Sequence, residues 1–118
     1  MSKSNCYWIY ILECENGSYY TGYTRNLAKR YKEHTSGLHG AKYTRGFRPL
    51  RIAQCWRLYD TKGTAMKIEY LIKSSSRKRK DILVSNPDIL KKIVFDKFNA
   101  NINIISSNPE LIQEDILN

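Results

Sequence analysis

The stretch CYWIYILECENGSYYTGYT, residues 6–24, decides the fold. Its first half, Cys6 to Cys14, is nearly continuous in apolar and aromatic residues, a composition typical of a strand buried on both faces. Asn16-Gly17 favours a chain reversal, and the Tyr- and Thr-rich residues 19–24 favour a returning strand. We therefore predict an antiparallel hairpin whose first strand lies in the centre of a sheet.

The register of this hairpin determines where its tyrosines point. A two-residue turn would place Tyr10 and Tyr20 on opposite faces, because successive residues of a strand alternate between faces. A three-residue loop, with Gly17 in the left-handed conformation, pairs Tyr10 with Gly22 and places both phenols on one face. We predict the second register because only it lets the two phenols act together. Gly22, without a side chain, would leave room for Tyr10 opposite it.

The rest of the chain predicts helices around one further strand. Asn26 suits the cap of a helix that ends near Thr35, and Arg30 and His34 lie four residues apart along one margin of its apolar stripe. We expect this helix to deliver both groups to a cleft beside the sheet. The later elements follow in chain order: a strand over residues 50–59, a helix over 65–74 capped by Thr64, a basic helix start at 77–80, an amphipathic segment at 89–98, an Asn/Ser-rich linker at 99–107 and a short helix at 110–117.

The fold class that these elements predict is α+β, with a small antiparallel three-stranded sheet flanked by helices. A chain of 118 residues with 42% hydrophobic residues is long enough for one ordinary core. We place a single domain at residues 1–98 and treat residues 99–118 as a linker followed by a short C-terminal helix.

The net charge of +9 is concentrated in the middle of the chain. Residues 25–80 contain sixteen of the twenty Lys and Arg, but only three of the eleven acidic residues. Such a segment between weakly acidic ends predicts a polyanionic partner, with nucleic acid as the first candidate. A basic surface without a ligand, or one that touches anionic lipid, is the alternative.

Hydropathy and cysteine usage predict the compartment. No apolar run approaches the ~20 residues needed to span a bilayer, and the first residues lack the long apolar segment of a secretory signal. Cys6, Cys14 and Cys55 are odd in number and form no CxxC pair, which favours reduced thiols over disulfides or zinc. We therefore expect a cytoplasmic protein with no membrane partner.

The side chains that are candidates for chemistry are Tyr10, Tyr20, Arg30, His34 and Glu69. Taken singly, each has a simpler explanation. Tyrosine is favoured in strands, arginine is common on surfaces, and histidine suits the end of a helix. Glu69 could pair with Lys73 at i+4. The joint order and spacing of the five residues weaken these explanations.

In this order and spacing the chain resembles the GIY-YIG endonuclease family, over about residues 5–95. The resemblance is carried by Tyr10, Tyr20-Thr21-Gly22, Arg30, His34, the loop from Ser36-Gly37 to Arg45, and Ala65 to Lys73 with Glu69-Tyr70 between them. Two residues depart from the family pattern. Trp8 stands where the first motif has glycine and could narrow the cleft, and Thr21 replaces the isoleucine of the second motif.

The resemblance implies a metal-dependent hydrolysis of phosphodiester bonds, in which Glu69 holds one divalent ion, Mg²⁺ or Mn²⁺. Arg30 would hydrogen-bond the scissile phosphate. Tyr20 would activate the attacking water, with a nearby cation favouring its phenolate. Tyr10 would orient the cluster, and His34 would hold a phenol in place rather than carry the proton.

The cations expected to contact backbone phosphates are Lys42, Arg45, Arg48, Lys73, Arg77, Lys78, Arg79 and Lys80. A solvated basic face is the alternative for each of them. The first hypothesis is an endonuclease that cuts structured, damaged or single-stranded DNA, with RNA as an alternative substrate. The second is a non-catalytic basic nucleic-acid-binding module of the same fold. The third is an interaction module that acts through residues 89–98 and the last helix. The sequence indicates no obligatory protein partner and leaves the oligomeric state open.

Overall fold

The computed structural model describes residues 5–36 and 48–117. These ranges form four strands and five helices. In chain order the elements are β1 (Tyr7–Cys14), β2 (Tyr19–Thr24), α1 (Leu27–Ser36), β3 (Pro49–Leu58), α2 (Lys62–Lys73), α3 (Arg77–Ser85), α4 (Ile89–Phe98), β4 (Ile104–Ser107) and α5 (Pro109–Leu117).

The four strands form one antiparallel sheet in the order β2-β1-β3-β4. The predicted α+β class and the central position of β1 are confirmed. The prediction of three strands is wrong, because residues 104–107, which we placed in a linker, pair with β3 between Leu58↔Ile104 and Cys55↔Ser107. The side chain of Ile104 is buried against the core. This burial and the free edge of β3 outweigh the polar composition around the strand. The division of the chain at residue 98 stays a prediction.

The hairpin register that we predicted is confirmed. Tyr10 pairs with Gly22, and Leu12 pairs with Tyr20. The connecting loop is closed by backbone hydrogen bonds from Cys14 N to Ser18 O and from Gly17 N to Cys14 O, both 2.9 Å. Gly17 has a φ of +83°, the left-handed conformation that glycine adopts without steric cost.

Alternate residues of β1 face two different sides of the core. Ile9 and Ile11 pack with residues of α2, α3 and α4, whereas Tyr10 and Leu12 pack with residues of α1 and α5. The sheet therefore lies between two helical layers, with β2 as one of its edges. None of the helices found in the two described ranges combines the length and apolar character needed to cross a membrane.

The caps of the first two helices set the positions of the site residues. Asn26 Oδ1 accepts a hydrogen bond from Lys29 N at 3.0 Å, as a cap of α1 should. The prediction that Thr64 caps the second helix is wrong, since the cap is Thr61, whose hydroxyl accepts from Thr64 N at 3.2 Å. The helix therefore begins earlier than predicted and includes Lys62 in its first turn.

Candidate active site

A pocket of about 400 Å³ opens along the edge strand β2, between α1 and α2. Residues of β1, β2 and both helices line it. The lining residues are Tyr7, Tyr10, Tyr20, Gly22, Tyr23, Thr24, Arg25, Arg30, Lys62 and Glu69. Four of the five residues predicted to carry chemistry thus share one cavity, and the fifth, His34, lies directly behind it against Tyr10.

The aromatic cluster at the back of this pocket consists of Tyr10, Tyr20 and His34. The Tyr10 hydroxyl lies 3.2 Å from His34 Nε2, within hydrogen-bond distance. The ring centroids of Tyr20 and His34 are 4.9 Å apart, and those of Tyr10 and Tyr20 are 6.4 Å apart. The predicted placement of both phenols and the imidazole in one cluster therefore agrees with the geometry.

Gly22 provides the space that Tyr10 occupies. A Cβ built on Gly22 would lie 2.5 Å from the Tyr10 hydroxyl oxygen and 2.7 Å from its Cζ. Real Cβ atoms do not approach other heavy atoms this closely, and here the neighbour is a buried ring rather than a flexible chain end. A side chain at position 22 would therefore displace the phenol from the pocket.

Burial makes both Tyr10 and His34 electrically neutral near neutral pH. Desolvation raises the pKa of the Tyr10 phenol far above its usual value, and the neighbouring Tyr20 raises it further, while Arg30 acts in the opposite direction. Desolvation, assisted by Arg30, lowers the pKa of His34 to about 4. A neutral imidazole with its proton on Nδ1 can accept the phenolic proton of Tyr10 at Nε2. Both groups of this hydrogen-bonded pair are therefore uncharged in their favoured forms.

Tyr20 has a different environment from Tyr10. Tyr10 is only 2% exposed, whereas Tyr20 is partly exposed and lines the pocket from the edge strand. A solvent-accessible phenol can reach a water molecule that a buried phenol cannot. The geometry therefore separates the two tyrosines into an inner and an outer member, as the predicted roles require.

Arg30 and Glu69 approach the pocket from α1 and α2 respectively. Arg30 also forms an ion pair with Glu33 at 3.5 Å, and Glu69 forms an i,i+4 ion pair with Lys73 at 3.7 Å. The ion pair with Lys73, which was the simpler explanation of Glu69, is thus formed in the structure. It coexists with the functional one, because the same carboxylate lines the pocket that contains the phenols.

Sequence reasoning missed two cations that line the pocket. Arg25 follows β2 directly, and its Nε donates to the Tyr7 hydroxyl at 3.2 Å while the guanidinium lies 4.9 Å from the centroid of that ring. Lys62 precedes Glu69 by seven residues, two helical turns, so both project from the same face of α2. The seven-residue spacing between Lys62 and Glu69 could have indicated this from the sequence, provided that the predicted helix included Lys62.

The cations predicted to bind phosphates are distributed over several surfaces. Lys42 and Arg45 lie outside the described residues, and Arg48 is exposed next to β3. Lys73 and Lys80 line a second pocket beyond Tyr20, with exposed Lys78 close to them in the chain. Arg79 lines a third pocket, on the far side of α3.

Arg77 is occupied by protein contacts. Its guanidinium stacks on the ring of Tyr19 at 3.8 Å, and it donates to the carboxylate of Asp81 and to the carbonyl of Gly17. These contacts fix α3 against the hairpin loop, so Arg77 has a structural role besides any contact with phosphate. Trp8 packs beside the Tyr10 cluster beneath Arg57. It is absent from the lining of the first pocket within the described ranges, and its effect on the cleft stays a prediction.

The residues of the pocket fit a divalent ion held through one carboxylate. Glu69 is the one acidic side chain that lines the pocket within the described ranges, and these ranges contain no group of three or more His, Cys, Asp and Glu residues able to hold a metal. A hard ion such as Mg²⁺ keeps several waters and takes one or two carboxylates together with substrate phosphate oxygens. The donor set therefore suits Mg²⁺ or Mn²⁺ with substrate, and not a resident structural metal such as zinc.

Comparison with known proteins places these features in a family. A family model described as the GIY-YIG catalytic domain matches residues 6–81. The UPF0213 protein BH0048 of Halalkalibacterium halodurans is 49% identical over 79 residues, covering 67% of this chain and 82% of that protein. A UPF0213 protein of Halobacterium salinarum is 45% identical over 75 residues, covering 64% of this chain and 95% of that protein. The solution NMR structure of UPF0213 protein BH0048 from Bacillus halodurans, 46% identical, covers 69% of this chain and 84% of its own, with a TM-score of 0.42.

Proposed function

The chain belongs to the GIY-YIG family, a nuclease-type domain family, and we propose that it is a metal-dependent endonuclease that hydrolyses phosphodiester bonds in DNA. The substrate class is structured, damaged or single-stranded DNA, with RNA as the alternative. The cofactor is one divalent ion, Mg²⁺ or Mn²⁺. The observation that carries the proposal is the meeting of two phenols, a guanidinium and a carboxylate in a single pocket at the edge of β2.

Tyr20 is the residue that activates the attacking water. It is the outer tyrosine, and Arg25, Arg30 and Lys62 line the same pocket. Tyr10 is a positioning residue, because its burial keeps the phenol protonated and its hydroxyl is held against His34. His34 fixes the orientation of Tyr10 and contacts the ring of Tyr20.

Arg30 binds the phosphoryl group that is cut. Its planar guanidinium can donate two parallel hydrogen bonds to phosphate oxygens, which both orients the group and neutralises charge that develops in the transition state. Arg25 and Lys62 line the same pocket and supply further positive charge to the flanking phosphates.

Glu69, which lines the pocket from α2, would hold the divalent ion. The chemistry supplied by a bound Mg²⁺ or Mn²⁺ ion is neutralisation of charge on the phosphoryl and leaving-group oxygens. The ion pair between Glu69 and Lys73 places an ammonium group next to the carboxylate.

The second candidate function is non-catalytic binding of nucleic acid by the same basic surface. The observation that favours it is the Glu69–Lys73 ion pair, which gives the acid a role without metal. The two functions assign different roles to the carboxylate of Glu69. Binding alone needs no acid among cations that face phosphates, whereas metal-dependent hydrolysis does.

The experiment that separates them is a cleavage assay on single-stranded, duplex, nicked, flap and branched DNA, with Mg²⁺, Mn²⁺ or EDTA. Each substrate is incubated with the wild-type protein, with Glu69→Gln and with Glu13→Gln. Glu13 is the matched acidic control, because its ion pair with Arg51 at 2.7 Å lies on another strand pair, away from the pocket. Binding in EDTA is measured in parallel by fluorescence anisotropy.

We expect metal-dependent cuts with the wild-type protein and Glu13→Gln, and no cuts with Glu69→Gln. Binding in EDTA should be retained or strengthened in Glu69→Gln, since one negative charge is removed from a phosphate-facing surface. Normal cleavage by Glu69→Gln would refute the metal assignment. Binding without cleavage, identical in all three proteins, would favour the binding module.

A further inference from the structure

We propose that an exposed part of the sheet beside the active site is a stacking platform for unpaired bases of the substrate strand. The platform consists of Trp8, Arg57 and Tyr59, none of which has a role in the mechanism above. The inference rests on the proposed function, because it assumes that a nucleic-acid strand occupies the first pocket. It adds the strand state that the protein recognises.

The three side chains of the platform lie together on one face of the sheet and are accessible to solvent. Trp8 of β1 is the cross-strand partner of Arg57 of β3, and Tyr59 follows Arg57 by two residues, the spacing that returns a side chain to the same face. Arg57 is exposed, the side chain of Tyr59 is 41% exposed, and Trp8 is partly exposed. A ligand can therefore approach all three from the same side.

The guanidinium of Arg57 is held in position by its neighbours. Its Cζ lies 4.8 Å from the ring centroid of Trp8 and 5.8 Å from that of Tyr59. Its Nη2 donates to Cys6 Sγ at 3.4 Å. Aromatic rings and guanidinium planes are the surfaces on which proteins stack unpaired bases. A side chain that is positioned in advance loses little conformational entropy when a base stacks on it.

The platform continues across the sheet from the first pocket. Thr24, which lines that pocket, pairs with Trp8, and Trp8 pairs in turn with Arg57. The three residues therefore form one row across β2, β1 and β3. Because neighbouring strands lie about 4.8 Å apart, the backbone of Arg57 is about 10 Å from that of Thr24. A strand with one phosphate in the first pocket can thus place a nearby base on the platform.

Charge favours a nucleic-acid strand as the occupant of this surface. Arg57 is cationic, and Arg25, which follows Thr24 directly, adds a second guanidinium at the same end of β2. Neither arginine forms an ion pair with an acidic side chain of residues 5–36 and 48–117. Phosphates that flank a stacked base would supply the missing negative charge. The base must be unpaired, because a base inside a duplex does not present its face.

The two tryptophans of the chain allow binding at the platform to be observed directly. Trp8 belongs to the platform, whereas Trp56 is only 1% exposed. A base that stacks on the platform should therefore quench the fluorescence of Trp8 and leave that of Trp56 unchanged. The probes are a single strand of about 12 adenine nucleotides, within the site sizes of about 4–16 known for single-strand binders, and an abasic strand with the same number of phosphates. Titrations in EDTA separate binding from cleavage.

The variants separate stacking from charge. Arg57→Lys keeps the positive charge and removes the guanidinium plane, and Tyr59→Leu removes the aromatic ring. Arg51→Lys is the matched control, because Arg51 is an exposed arginine at the other end of β3, paired with Glu13. Trp8→Phe identifies the source of the fluorescence change. Affinities for both strands are measured by fluorescence anisotropy.

We expect the wild-type protein to bind the adenine strand about tenfold more tightly than the abasic strand. The adenine strand should quench tryptophan fluorescence in the wild-type protein and not in Trp8→Phe. Arg57→Lys and Tyr59→Leu should each reduce the affinity ratio to about threefold or less, whereas Arg51→Lys should keep it at about tenfold. The affinity of Arg57→Lys for the abasic strand should change by less than about twofold, because the charge is retained.

Equal affinity of the wild-type protein for the two strands, or binding of the adenine strand without quenching of Trp8, would overturn the proposal. An unchanged ratio in both Arg57→Lys and Tyr59→Leu would also overturn it, since the bases would then stack elsewhere. A Trp8 signal that changes with protein concentration and with neither strand would assign this surface to a second copy of the chain instead.

None of these results depends on cleavage. A protein that discriminates the two strands through the platform but cuts no substrate would retain the platform and lose the proposed nuclease function. A nuclease that cuts in the presence of metal but binds both strands equally would retain the function and lose the platform.

Discussion

The side chain of Tyr10 fills the space that a Cβ atom at Gly22 would need. The hydroxyl oxygen of Tyr10 lies 2.5 Å from that ideal Cβ position and 3.2 Å from Nε2 of His34. The phenol is thus held between the backbone of the edge strand on one side and a buried imidazole on the other. Strand pairing, rather than a loop, fixes the inner tyrosine of the candidate site.

Gly22→Ala should lower the free energy of unfolding by about 1–3 kcal/mol, because an added methyl group overpacks the space held by Tyr10. Urea denaturation measures the loss. Gly63→Ala is the control, since its Cβ would meet only Thr61 Oγ1, at 3.8 Å. Alanine in that helical position should raise the free energy of unfolding by about 0.4–1 kcal/mol. A Gly22→Ala protein as stable as wild type would contradict the close approach.

Removal of the phenolic hydroxyl of Tyr20 and removal of that of Tyr10 should have different effects. Tyr20→Phe should lower turnover by about 10²–10⁴-fold with little change in stability, because it removes the group that activates water. Tyr10→Phe should instead destabilise the fold by about 1–3 kcal/mol, since the ring of His34 loses its buried partner at Nε2. Single-turnover cleavage and urea denaturation of both variants test this. Unchanged turnover in Tyr20→Phe would remove that residue from the mechanism.

The buried His34 should make folding sensitive to acid. The imidazole of an unfolded chain takes up a proton near pH 6.5, whereas in the folded protein the pKa of His34 is lowered to about 4. Between these values the unfolded state binds more protons, so stability falls as the pH drops from about 6.5 to about 4, by up to about 3 kcal/mol. Urea denaturation at pH 7, 6, 5 and 4, compared between wild type and His34→Gln, isolates this contribution. If the stabilities of wild type and His34→Gln changed with pH in the same way, this contribution of His34 would be ruled out.

Two lysines of α2 should differ in their effect on DNA binding. Lys62 lines the first pocket, whereas Lys67 is exposed elsewhere on the same helix. Binding should weaken steeply as salt rises, and Lys62→Ala should reduce the slope of log K against log salt by about 0.7–0.9, the loss of one phosphate contact. Lys67→Ala should leave the slope unchanged. Equal slopes in wild type and Lys62→Ala would mean that Lys62 does not make the phosphate contact.

Local chemistry made the centre of the fold predictable. The register of the hairpin follows from Gly17 and from the requirement that Tyr10 and Tyr20 share a face, and both are visible over a few residues. The cap at Asn26 is visible in the same way. These features depend on contacts between residues close in the chain, for which the sequence carries the whole pattern.

The missed features depend on contacts between distant residues. Strand β4 forms because the edge of β3 is free and Ile104 can be buried there, and neither condition is visible in the Asn- and Ser-rich sequence around it. Thr61 and Thr64 are equally suitable caps by residue type, and the choice between them moves Lys62 into the site. Arg25 enters the pocket only because the Tyr7 ring lies beneath it.

The outer backbone of edge strand β2, which pairs with no other strand of residues 5–36 and 48–117, gives the candidate site a second consequence, for solubility. A free sheet edge can recruit a strand from another molecule and start aggregation. The groove along this edge is lined by five cationic residues, Arg25, Arg30, Lys62, Lys73 and Lys80. Two copies that met here would therefore bring ten cationic side chains together. The proposed polyanion recognition and the resistance to aggregation would therefore depend on the same side chains. Variants that neutralise several of them at once should be checked for self-association before a loss of activity is attributed to catalysis.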